Sequence, residues 1–141
     1  MKRTFFFIAA AITILTACQQ KNENENEGAP ALLAEIETLY EAEQYRTALD
    51  SIESLRKRYP NSVEARSKGL RLWQKASLKM AQEDIAVTDS LLQATIAQMN
   101  AETRIYERNM LGVKKDSLQA RYEALIGVVR MIWKRMEELP K

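Results

Sequence analysis

The sequence predicts an all-α protein, in which a short helical hairpin precedes two long helices that pack antiparallel, in the manner of a coiled coil. Three observations indicate this fold class. The 141 residues include only four glycines and three prolines, a composition that favours helices. From residue 31 onward, large apolar side chains recur three and four residues apart, which is the spacing of an amphipathic helix. Between Gly69 and Gly112 there is neither proline nor glycine, so a long helix can form there.

The first 17 residues have the features of a signal peptide. Lys2 and Arg3 form a short positive segment, and residues 4–14 form an apolar run. That length is typical of a signal peptide and is short for a membrane span. The run ends in Leu15, Thr16, Ala17 and Cys18.

These four residues resemble the lipobox of bacterial lipoproteins, and all four fit its pattern. The resemblance implies cleavage before Cys18, a covalent lipid on the Cys18 thiol and further acylation with palmitate-type chains. Cys18 is the only cysteine in the chain. Because each buried CH₂ contributes about 0.8 kcal/mol, several acyl chains would anchor the protein stably to a membrane.

Residues 18–30 are expected to form a disordered tether, because they are polar and of low complexity. The leader resembles those of Bacteroidetes lipoproteins, in which acids close behind the cysteine resemble a surface-export signal. Here the first acid is Glu23, and it follows Lys21, so the periplasmic face is favoured over the cell surface. The residue behind the cysteine is Gln19 and not aspartate, which by resemblance to enterobacterial sorting argues against retention in the inner membrane. The expected location is therefore the outer membrane.

Residues 31–60 predict a helical hairpin that ends at Pro60. Its apolar positions are Leu32, Leu33, Ile36, Leu39 and Tyr40, followed by Tyr45, Ala48, Leu49, Ile52 and Leu55. Tyr59 precedes a proline, which disfavours helical geometry at that residue. The pattern resembles a single tetratricopeptide-type hairpin. It departs from that family at Ile36, where a small residue is expected, and at Glu43, where glycine is expected.

Residues 61–141 predict a long helical hairpin, with helices over about 62–99 and 114–139. Asn100, Asn109 and Gly112 are break signals, so residues 100–113 are interpreted as a loop, with a helical end within this range as the alternative. The first long helix has two apolar stripes, which predicts packing on two sides. The stripes are Leu70, Trp73, Met80, Val87, Leu91 and Ala94, and Leu78, Ile85, Leu92, Ile96 and Met99. The second long helix has a near-heptad pattern: Leu118, Tyr122, Leu125, Val129, Ile132, Trp133, Met136 and Leu139.

Four bases lie on one line of the first long helix: Lys68, Arg71, Lys75 and Lys79. One interpretation is a docking stripe that binds an acidic partner or lipid headgroups. The favoured interpretation is an ordinary solvated face.

Trp73 and Trp133 could mark a partner-binding spot, but core packing is favoured because each lies on an apolar stripe.

Two further features suggest chemistry only weakly. The acids Glu83, Asp84 and Asp89 lie on a regular helix, which presents its side chains divergently. Lys141 ends the chain, as a lysine ends the helical lipoprotein that is joined to peptidoglycan, but Pro140 departs from that ending.

Composition argues against several functions. The chain has no histidine, and its one cysteine belongs to the lipobox, so it lacks the usual ligands for zinc, haem and iron–sulfur clusters and any Ser–His or Cys–His pair. We expect no enzyme activity, no cofactor besides the lipid on Cys18 and no small-molecule substrate. Beyond Cys18 the acids and bases balance, which argues against nucleic-acid binding.

The expected function is that of a scaffold, adaptor or accessory subunit, which binds a protein partner or associates with itself. The alternative is a structural tether between outer membrane and cell wall.

Overall fold

The computed structural model describes residues 27–138. The predicted signal peptide, Cys18 and the tether up to residue 26 lie outside the described residues, as does Lys141. The tether was predicted to end at residue 30, but the first helix already includes Ala29 and Pro30. Ala29 is fully buried, and Pro30 suits a first helical turn, where a missing N–H costs nothing.

The described part of the chain is all-helical, so the predicted fold class is confirmed. It comprises α1 (Ala29–Glu41), α2 (Tyr45–Arg58), α3 (Val63–Ala101) and α4 (Ile105–Glu138). The two long helices, α3 and α4, pack against each other. The chain divides into two compact units within α3. Unit 1 extends to Trp73, and unit 2 begins at Gln74.

The core of unit 1 lies between α1, α2 and the start of α3. Its buried residues are Ala29, Leu33, Ile36, Ile52, Leu55 and Ala65, with Leu32, Leu49, Tyr59 and Leu72 partly buried against them. The predicted apolar faces of the short hairpin therefore meet in this core. Gly69 of α3 lies close to α2, because a Cβ added there would be 3.0 Å from Leu55 Cδ2.

The turn between α1 and α2 requires an unusual backbone conformation. Glu43 has a φ of 59°, in the left-handed region that favours glycine. Its N–H donates to the Tyr40 carbonyl at 3.1 Å, and the Gln44 N–H donates to the Leu39 carbonyl at 2.9 Å. These two bonds form the Schellman motif that ends many helices. The glycine that the tetratricopeptide-type resemblance implies at this position therefore has a physical reason here.

The α2 helix ends at Arg58, two residues before Pro60, as predicted. The Arg66 guanidinium donates to the Pro60 carbonyl at 2.6 Å, and the Arg66 N–H donates to the Ser62 carbonyl at 3.0 Å. These bonds connect the turn to the first residues of α3. The predicted start of the first long helix agrees with the structure, since α3 begins at Val63.

In unit 2, α3 and α4 bury a seam of residues with alternating spacings of three and four. On α3 the seam comprises Gln74, Leu78, Ala81, Ile85, Thr88, Leu92, Thr95 and Met99, all buried or half-buried. On α4 it comprises Leu111, Lys115, Leu118, Tyr122, Leu125, Val129, Ile132 and Met136, of which Ile132 is the most buried. This spacing is the heptad pattern of coiled coils. Thr95 is buried, and its hydroxyl is hydrogen-bonded because it donates to the Leu91 carbonyl at 2.8 Å.

The predicted loop over residues 100–113 was too long, because only residues 102–104 of this range are non-helical. The α3 helix continues to Ala101 and α4 begins at Ile105, not near residue 114. Asn100, Asn109 and Gly112 are all helical. The break signals were overridden because Met99 and Leu111 belong to the seam, and packing of a neighbouring helix outweighs weak local propensity.

Candidate interaction surface

Cys18, the best-supported site in the sequence, lies outside the described residues together with Leu15, Thr16 and Ala17. The Cys18 lipid therefore stays a prediction. Within residues 27–138, no helix is both long enough and apolar enough to cross a membrane.

The four bases of the possible docking stripe are all exposed on α3. Lys68 is already paired, since its ammonium lies 2.8 Å from the Glu64 carboxylate one turn away. This ion pair raises the pKa of Lys68 and lowers the pKa of Glu64. The division between the units falls between Arg71 and Lys75. Exposure agrees equally with a docking stripe and with a solvated face, so the docking role of these bases stays a prediction.

Two of the three acids of α3 have separate partners and do not share a common centre. Asp84 lies 3.9 Å from the Arg121 guanidinium of α4, and the Asp89 carboxylate accepts a hydrogen bond from Gln93 at 3.3 Å. Glu83 is exposed. Over residues 27–138, no cluster of three or more carboxylate, thiol or imidazole groups is arranged to hold a metal ion.

Neither tryptophan is buried, so the prediction of core packing was wrong for both. Trp73 is 41% exposed and Trp133 is 48% exposed. Trp73 lies at the edge of a cleft of about 290 Å³ in unit 1, which is also lined by Leu49, Ile52 and Arg56. Trp133 directly follows the seam residue Ile132 in the sequence. A helical stripe places a residue on a side of its helix, but it does not determine whether a neighbour covers that side.

The first apolar stripe of α3 is likewise uncovered in unit 2. Val87 is 59% exposed and Leu91 is 47% exposed, and Ala94 is also exposed. The second stripe, by contrast, supplies Leu78, Ile85, Leu92 and Met99 to the seam. The α3 helix is therefore packed on one side here, and not on two as predicted.

The α4 helix carries a second stripe that the sequence analysis missed. It comprises eight exposed residues spaced three or four apart: Tyr106, Met110, Val113, Ser117, Ala120, Ala124, Val128 and Met131. At 100° per residue, they fall within about 80° of the helix surface, and none is charged. The three-and-four spacing of these residues is present in the sequence, but the predicted loop over residues 100–113 included the first three of them.

We call these eight residues, together with Met80, Val87, Leu91 and Ala94 of α3, the uncharged face of unit 2. An exposed run of apolar side chains of this length is unusual for a monomeric soluble protein and marks interaction sites. This face is the strongest candidate for the interaction surface.

The end of unit 2 where α3 meets α4 is held by polar contacts. The Arg104 guanidinium donates two hydrogen bonds to the Glu102 carboxylate, at 3.1 and 3.0 Å, and the Arg104 N–H donates a third at 2.9 Å. These bonds lower the pKa of Glu102 to about 2 and raise the pKa of Arg104. An open cleft of about 480 Å³ lies nearby and is lined in part by Met99, Arg108 and Val113.

Comparisons with protein families, with curated proteins and with solved structures found no match to this chain.

Proposed function

We propose that the chain is an envelope lipoprotein, anchored to the outer membrane by lipid on Cys18, that acts by protein–protein contact as a scaffold, adaptor or accessory subunit. The observation that carries the contact role is the uncharged face of unit 2. Its exposed apolar side chains, such as Val113 and Met131, are typical of a surface that another molecule covers.

The anchor rests on the lipobox Leu15, Thr16, Ala17 and Cys18 after a short apolar run. A body held at a membrane by a flexible tether meets other envelope proteins at raised local concentration. This favours a contact role, because modest affinity then suffices for stable association.

Replacing Cys18 tests the anchor directly. Cells that express the full-length chain with Cys18→Ser should incorporate no labelled palmitate into it, because serine has no thiol to accept the lipid. The wild-type chain should be labelled and should sediment with outer membranes. Ser67→Ala, outside the lipobox, is the control and should behave as wild type. Equal labelling of wild type and Cys18→Ser would contradict the lipid anchor.

Crosslinking in cells followed by mass spectrometry tests the contact role. We expect a defined envelope protein, or a second copy of this chain, to be recovered through unit 2. A wild-type chain that crosslinks to nothing, although it is lipidated and folded, would rule out the adaptor role.

The alternative function is a structural tether or spacer between the outer membrane and the cell wall, and the long coiled-coil-like seam of unit 2 favours it. Attachment through the amine of Lys141 would then be expected. The chain should be recovered with purified peptidoglycan and should be lost from it when Lys141 is deleted. Recovery that does not depend on Lys141 would exclude this mode of attachment.

A further inference from the structure

We propose that the uncharged face of unit 2 binds the same face of a second copy of this chain, so that two α3–α4 hairpins form a four-helix arrangement. This rests on the contact role proposed above and names the partner of that face, but it does not depend on the lipid on Cys18.

The two stripes of the face lie on the same side of the hairpin. On α3, Asp84 borders Met80 and Val87. On α4, Arg121 borders Ser117 and Ala124, one turn away in either direction. Because Asp84 and Arg121 approach to 3.9 Å, the sides of α3 and α4 that carry them must point the same way. The two stripes therefore lie on the same side of the hairpin, with the Asp84–Arg121 ion pair between them.

The surface is large enough for a stable dimer. The α4 stripe from Tyr106 to Met131 is about 37 Å long and the α3 stripe from Met80 to Ala94 about 21 Å, at 1.5 Å per residue. With a helix width of about 10 Å, the face covers on the order of 600 Å² per copy. Two copies would bury about 1,200 Å², which reaches the range of specific interfaces.

The charges that border the face suit self-association. Acids and bases both lie beside the stripes, among them Glu83, Asp84 and Asp116, and Lys114, Arg121 and Lys134. A surface with balanced charges meets its own copy without net repulsion, whereas an anionic lipid surface would repel the acids. A two-fold symmetric contact uses the same patch on both copies and is the commonest form of association between identical chains.

The distribution of side-chain size points the same way. The centre of the α4 stripe is made of small residues, Ser117, Ala120 and Ala124, and larger ones lie toward both ends. Small central residues let a second helix approach closely, and the larger end residues then close the interface around them.

The test compares two alanine-to-glutamate changes in the full-length chain, purified in detergent. Ala120→Glu places a charge in the centre of the face. Ala86→Glu places the same charge on an exposed position of α3 outside the face. We expect native mass spectrometry to find two copies for wild type and Ala86→Glu. Ala120→Glu should weaken the dimer by at least about tenfold, because burying an unpaired charge is costly.

Two further measurements check that the variants fold and test self-association independently. Circular dichroism should give equal helix content for both variants, since each replaces an exposed alanine. If Ala120→Glu fails to fold, Val113→Glu provides the same test at a residue that is 66% exposed. Copies carrying two different tags, expressed together, should co-purify for wild type and Ala86→Glu but not for the face variants.

Three results would overturn the proposal. One is a wild-type protein that is monomeric even at high micromolar concentration. Another is a dimer that Ala120→Glu and Val113→Glu leave unchanged. The third is a monomeric protein that binds vesicles of phosphatidylglycerol and phosphatidylethanolamine and loses this binding in Ala120→Glu. That result would make the face a lipid-binding surface. None of these depends on palmitate incorporation at Cys18, so this proposal and the anchor can fail separately.

Discussion

Glu43 occupies a position where the backbone, and not the side chain, decides which residue fits best. A β-carbon in the left-handed region crowds the following carbonyl and costs roughly 1–2 kcal/mol. Glu43 tolerates this because its N–H and that of Gln44 complete the end of α1. The cost of one strained residue is offset by two satisfied carbonyls.

Replacing Glu43 with glycine should therefore stabilise the protein. We expect Glu43→Gly to raise the free energy of unfolding by about 1 kcal/mol, somewhat less than the relieved strain, because glycine also gains freedom in the unfolded chain. Urea unfolding followed by circular dichroism measures this. Glu41→Gly, inside the last turn of α1, is the control and should lower stability by up to about 1 kcal/mol. A loss of stability in both variants would show that Glu43 is not strained.

At the scale of the element, the long hairpin shows how a seam overrides local signals. Gly112 is a weak helix former, yet it lies within α4 with open space around it. The helix continues because seam residues on either side, Leu111 and Lys115 among them, pack against α3. The chain reverses direction at residues 102–104, where Glu102 and Arg104 bind each other.

The contact between Glu102 and Arg104 should make the stability of the protein depend on pH. The folded state lowers the pKa of Glu102 from an ordinary value of 4.5 to about 2, so it favours the charged carboxylate. The stabilisation is fully present above pH 4.5 and is lost as the pH falls toward 2. Glu102→Gln should therefore lower the melting temperature at pH 7 and have little effect near pH 2.

Thermal unfolding of wild type and Glu102→Gln across this pH range provides the measurement. Glu41→Gln, an exposed carboxylate at the end of α1, serves as the control and should change the melting temperature much less at neutral pH. A difference between wild type and Glu102→Gln that stayed constant from pH 7 to pH 2 would contradict the assignment.

At the scale of the whole molecule, the two units differ in how they bury apolar surface. Unit 1 has a core made by three helical segments, in which Ile36, Ile52 and Leu55 are almost fully buried. Unit 2 has only the seam between two helices, and most of its α4 seam residues are half-buried. A two-helix layer has one covered side, so its remaining apolar side chains stay exposed.

Truncation of a core residue should measure how much the core of unit 1 contributes to the free energy of unfolding. We expect Leu55→Ala to lower the free energy of unfolding by about 3 kcal/mol, because it removes buried methyl groups and leaves a cavity between α2 and α3. Val63→Ala is the control, since Val63 is 77% exposed, and it should change stability by less than about 0.5 kcal/mol. Denaturant unfolding measures both, and equal effects would argue against the core described here.

The sequence by itself determined the helical class, the short hairpin that ends before Pro60 and the start of the first long helix near Val63. Helical periodicity and proline are local properties, so they can be interpreted without knowing the neighbours. Only the tertiary structure decided that the chain turns at residues 102–104, that Trp73 and Trp133 are exposed, and that the face containing Val87 and Val113 lies open. Periodicity assigns a residue to one side of a helix. Whether that side is covered depends on helices distant in sequence, which no local pattern records.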